Sequence, residues 1–97
     1  MDENVRTQLR EQLDRARWEW LQPHHERGAV FLVDSMLDLV DVATRVAADD
    51  TVAVSHWLAS RCLTRPTDEQ VAVWEANRAL SFSMLVVNPY ILIQDAE

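Results

Sequence analysis

With one cysteine, one glycine and no lysine among its 97 residues, this sequence excludes more than it suggests. Cys62 has no partner for an intramolecular disulfide, so the cross-linked framework of a small secreted domain is absent. With Gly28 as the lone glycine, there is no glycine-rich loop to cradle a phosphate. Long apolar runs are missing as well. The longest, Met84 to Ile93, is interrupted by Asn88 and Pro89 and falls short of the ~20 residues that span a bilayer. The opening MDENVRTQLREQ lacks the apolar core of a signal peptide, so a cytoplasmic protein with no membrane partner is expected.

Positive charge is also scarce. Nine arginines face sixteen acids, a net charge of −7. The imbalance is uneven: residues 1–27 hold five Arg against six acids, and residues 28–97 hold four against ten. Such a surface repels a nucleic-acid backbone or an anionic membrane, which disfavours both as partners. The content that remains, 48% hydrophobic and 26% charged, is that of a folded domain able to bury roughly 60–70% of its unfolded surface without staples.

Val5, Leu9, Leu13, Ala16 and Trp20 recur at helical spacing and predict one long amphipathic helix, capped by Asp2 or Asn4. Pro23 suits the first turn of a short second helix, and Gly28 suits its stop, where a positive φ is needed. Ala29 to Val33 reads as a strand buried on both faces. Ser35-x-x-Asp38 resembles a capping box and opens a helix to about Ala48, with Met36, Leu39, Val40, Ala43, Val46 and Ala47 inward. On its opposite face Asp34, Asp38, Asp41, Arg45 and Asp49 align, with an Asp41–Arg45 ion pair expected.

Asp50 or Thr51 caps the next helix, which turns Val54, Trp57, Leu58 and Arg61 to one side. Leu63 to Arg65 is extended and ends at Pro66, and Thr67-x-x-Gln70 forms a second capping box for a helix with Val71 and Trp74 inward. Phe82 to Gln94 is β-structure, bent or bulged at Asn88-Pro89 or turned there through a cis proline in a loop wider than a two-residue type I′ hairpin. The expected architecture is a single α+β domain over residues 1–97. It has four to five helices around a small, mostly buried sheet, with a winged-helix-like centre.

Several of these segments together resemble a known family. They are Trp20, Arg27-Gly28 with the strand after it, Leu37 to Ala43, Ala48-Asp49-Asp50, His56-Trp57-Leu58, Arg65-Pro66-Thr67, Trp74 and Val86 to Gln94. The resemblance is to the small prokaryotic proteins of domain of unknown function 2288. It implies a one-domain intracellular protein, and it carries over no activity, cofactor or catalytic residue.

Candidate sites divide into acidic, metal-ligating and aromatic groups. Asp34, Asp38 and Asp41 share a helix face on which a hard cation such as Mg²⁺ can sit, although a solvated face is the simpler expectation. His24, His25, His56 and Cys62 lack the ligand spacing of a structural zinc site, and no cofactor is expected. Trp57 and Trp74 belong to the core, whereas Trp18 lies opposite Trp20: either the first helix ends before it or it is exposed and marks an interface. Tyr90, Ile91 and Ile93 are the second interface candidates, through an edge strand that pairs with its twin.

The function expected from these features is a non-enzymatic interaction or regulatory module whose partner is a second copy, as a homodimer, or another protein. A winged-helix DNA-binding regulator is the alternative. Its reading positions, Thr51, Val52, Ser55, His56, Ala59 and Ser60, lack the Arg, Lys, Asn or Gln that read bases. A metal-dependent enzyme using the aspartate stripe is the remaining alternative.

Overall fold

The first apolar stripe is divided where its spacing predicts one continuous helix. The computed structural model describes residues 2–77 and 79–95, without the side chains of residues 2 and 3, so the proposed Asp2 cap lies outside it. Residues 5 to 20 are shared among helix α1 (Asp2–Gln12), strand β1 (Asp14–Arg17) and the start of helix α2 (Trp18–Glu26). The cause is long-range: Asp14 to Arg17 pair antiparallel with Met84 to Ser81, and sheet pairing overrides a local periodicity that buries only Leu9 well. Pro23 therefore lies inside α2 and not at its first turn.

Helix α2 ends as its glycine requires. Gly28 has φ 73°, its N–H donates to the carbonyl of His25 and that of Ala29 donates to His24, a Schellman closure. Strand β2 (Val30–Val33) follows. The next helix, α3 (Leu39–Ala47), opens later than the Ser35 motif suggests, because Asp38 is its cap and accepts from the N–H of Val40. Residues 34 to 37 form a turn instead. The Asp34 side chain accepts from the N–H of Met36, and Gln94 Nε2 donates to the carbonyls of both Asp34 and Leu37. Met36 is left 91% exposed, and Leu37 takes the inward contact.

Helix α4 (Thr51–Ala59) is capped by Asp50, strand β3 (Leu63–Thr64) returns beside β2, and helix α5 (Asp68–Ala76) opens on the complete Thr67–Gln70 capping box. The closing block is a hairpin of β4 (Ser81–Val87) and β5 (Tyr90–Asp95), in register from Val87↔Tyr90 to Phe82↔Asp95. Its turn is two residues long, tighter than expected, with a cis Asn88-Pro89 peptide bond.

The strand order is β1-β4-β5-β2-β3, with β2 parallel to β5 and the other pairs antiparallel. Alternate residues of the central strands serve two cores. On one face Val33, Leu63, Leu85 and Leu92 meet Leu9 of α1 and Leu39, Val40, Val42 and Ala43 of α3. On the other, Val30, Phe82, Ile91 and Ile93 meet Trp18 and Leu21 of α2 and Trp74 of α5. The result is a small compact α+β domain of five helices and a five-stranded mixed sheet among the described residues. The winged-helix comparison gains no support: the two-residue β3 leads into α5, and the later hairpin is central, with β5 running parallel to β2.

Candidate functional site

The aspartate stripe is dispersed into local tasks. Asp34 holds the turn at Met36, Asp38 caps α3, and Asp41 accepts from the Arg6 guanidinium of α1 at 2.7 Å. Arg45, the expected partner of Asp41, instead bonds Asp50 at 3.0 Å. The carboxyl of Asp50 is held below its ordinary value, first by the N–H of Ala53 and next by Arg45. Among the described residues no three His, Cys, Asp or Glu side chains gather around a point where a metal ion can bind. Two of the three histidines are occupied elsewhere: His24 contacts Arg27 and the ring of Trp20, while His25 packs on Trp18.

The first helix does end before Trp18, and this indole is buried. It is 4% exposed, with its ring centroid 5.4 Å from that of His25 and 5.1 Å from that of Trp74. Trp20 is the exposed member of the pair, at 49%. Ile91 and Ile93 are buried too, because β4 and β5 lie inside the sheet and β1 and β3 form its edges. Strand pairing of a second copy against β5 is therefore closed in this monomer. Of the proposed interface residues only Tyr90 reaches the surface.

Tyr90 belongs to an apolar concavity that the periodicity alone does not reveal. Phe31, Val46, Val54, Leu58, Leu63, Tyr90 and Leu92 line a cavity of about 160 Å³ between α3, α4 and the hairpin turn. Phe31 is part of its lining, with Tyr90 edge-on at 5.6 Å and the Arg65 guanidinium 5.6 Å from the ring centroid. Helix α4 forms one wall. Its sequence, TVAVSHWLA, has no buried residue, and Leu58 is 47% exposed. The overlooked signal is that uniformity: a helix apolar on several sides carries more apolar surface than one packing contact covers. The six positions proposed to read DNA are all exposed, and none of them is basic apart from His56.

A second cavity, of about 300 Å³, lies on the other side of the sheet between α2 and α5, lined by Arg17, Trp18, Glu19, Gln22, Trp74 and Glu75. No helix among the described residues is long and apolar enough to cross a membrane.

The same fold is found in a solved protein. The NMR solution structure of PA1075 from Pseudomonas aeruginosa matches with a TM-score of 0.81 and 30% sequence identity, over 97% of this chain and 86% of that one. A comparison with curated proteins finds no match. Residues 4–95 match the model of the family described as "Protein of unknown function (DUF2288)", and the chain, as its sequence resemblance implies, belongs to that family.

Proposed function

We propose that the protein is a non-enzymatic interaction or regulatory module of the cytoplasm that self-associates through the face made by α4 and Tyr90. One observation carries the reading: α4 has no buried residue and contains no Asp, Glu, Lys or Arg. Two copies that each carry −7 repel one another over most of their surface, and an uncharged helix is where they can approach. Leu58 and Tyr90, 47% and 42% exposed beside the cavity, supply the apolar contact. A two-fold axis then seats the helix of each copy against the same face of the other.

Sedimentation velocity over a range of protein and NaCl concentrations tests this. Association should tighten as salt rises, because screening over about 10 Å at 0.1 M removes the repulsion and leaves the apolar contact intact. Leu58→Asp should yield a monomer with an unchanged circular-dichroism spectrum. A wild-type protein that stays monomeric at every concentration and salt, or a Leu58→Asp variant that still assembles, defeats the proposal.

A further inference from the structure

Strand β1 leaves one side of the sheet open. It and β3 are the two edges, and the β3 edge is only two residues long, with Leu63 buried. At β1, Asp14, Arg15 and Arg17 are exposed and Ala16 is half-buried. An unpaired strand edge offers its backbone donors and acceptors to a further strand. The N–H of Arg15 donates to the carboxylate of Asp14 at 2.8 Å, so an exposed side chain stands at this edge where the carbonyl of another strand would. An open groove of about 450 Å³ is lined by the whole of β1, and Ala16, Met84 and the exposed Trp20 give it an apolar wall.

The two faces of β1 differ in chemistry. Ala16 turns toward the core beneath α2 and α5, on the side of Met84. Arg15 and Arg17 turn to the other face, opposite Ser83 and Ser81 of β4, and neither forms an ion pair among the described residues. A twin β1 does not fit this edge. A two-fold antiparallel pair keeps each face of the sheet with itself, and the registers that overlap the strand best set Arg15 against Arg15 or against Arg17. We propose that β1 and its groove bind an extended segment of another protein, in which acidic and apolar residues alternate, as a sixth strand of the sheet. Its carboxylates lie beside Arg15 and Arg17, and the apolar side chains between them lie on Ala16 and Trp20. Asp14 shares the face of Ala16 and Glu19 borders the groove, which directs the partner's acids to the arginine face. The site is at the opposite edge of the sheet from β3 and α4 and is separate from the self-association face.

Titration of the ¹⁵N-labelled protein with the end-blocked peptide Ser-Glu-Val-Glu-Val-Glu-Ser, followed by NMR at low salt, tests the proposal. The controls are Ser-Glu-Glu-Val-Val-Glu-Ser, of the same composition without the alternation, and Ser-Lys-Val-Lys-Val-Lys-Ser, of opposite charge. The alternating acidic peptide should shift the amide resonances of Asp14 to Arg17 and the indole resonance of Trp20 saturably, and each control should bind about tenfold more weakly or worse. The double variant Arg15→Glu/Arg17→Glu, both at exposed positions, should keep the wild-type circular-dichroism spectrum and invert the preference, so that the lysine peptide binds the tighter. Trp20→Ala should weaken the acidic peptide as well. The proposal is overturned if no saturable shift appears at β1, if the rearranged peptide binds as tightly as the alternating one, or if the double variant still prefers the acidic peptide.

Discussion

Three helices of this chain end in the same left-handed turn, and only one of them uses the residue best suited to it. Gly28, Asp49 and Arg61 have φ of 73°, 57° and 65°. In each case the N–H of that residue and of the next donate back to the helix in the paired Schellman pattern: Gly28 and Ala29 to His25 and His24, Asp49 and Asp50 to Val46 and Arg45, Arg61 and Cys62 to Leu58 and Trp57. A side chain with a Cβ costs about 1–2 kcal/mol in this conformation, somewhat less for Asp. Gly28→Ala should therefore destabilise by that amount through the backbone alone, since its Cβ would meet the Arg65 guanidinium at an ordinary 3.5 Å. Arg61→Gly should stabilise by up to about 1 kcal/mol. Urea unfolding of the two variants measures both signs. Asp50 gives a pH-dependent counterpart. Its carboxyl pKa is lowered by folding, so its contribution is fully present above the ordinary value of 3.8 and is lost as the pH falls through the lower folded value. Asn also caps helices well, so Asp50→Asn isolates the charge. The wild type should be the more stable of the two at neutral pH, and the gap should close on acidification below 3.8.

Elements were legible in the sequence wherever their causes are local. The Thr67–Gln70 capping box is complete, with Thr67 Oγ1 accepting from the N–H of Gln70 and Gln70 Oε1 accepting from that of Thr67. Thr67→Ala should cost about 1 kcal/mol, read as a shift in the urea midpoint with unchanged slope. Gly28, a cap at Asp50 or Thr51 that the structure assigns to Asp50, and the strand after Gly28 are legible for the same reason: each is set by its own few residues. The apolar spacing runs past the end of α1 because strand β1 exists only through pairing with Ser81 to Met84, far along the chain. The Ser35 motif opens α3 earlier than the structure does because Gln94, 57 residues beyond Leu37, holds the preceding turn. Arg6 reaching Asp41 and Trp18 turning onto Trp74 belong to the same class of long-range event. The candidate surfaces follow this division. Tyr90 was visible as part of an apolar strand. The concavity beside it, assembled from β2, α3, α4, β3 and β5, was not.

At the scale of the molecule, the sheet decides whether two cores behave as one. Each central strand is a wall of both: β2 gives Val30 to one core and Val33 to the other, β4 gives Phe82 and Leu85, and β5 gives Ile91 and Leu92. Neither core can lose its packing without removing one face from the strands that support the other, so the domain should unfold in a single transition. The tryptophans divide the signal well. Trp18 and Trp74 sit in one core, Trp57 packs against the other, and Trp20 is exposed. Tryptophan fluorescence and far-UV circular dichroism should therefore report the same midpoint in the wild type. Leu85→Ala and Phe82→Ala should each cost about 2–5 kcal/mol of stability and lower both midpoints together, because each truncation leaves a cavity in a fully buried site. A Leu85→Ala variant whose fluorescence transition splits in two, one part staying at the wild-type midpoint and the other moving with Trp57, would mean that the Trp18–Trp74 core stands alone. The sheet would then be a partition between two independent halves and not their common support.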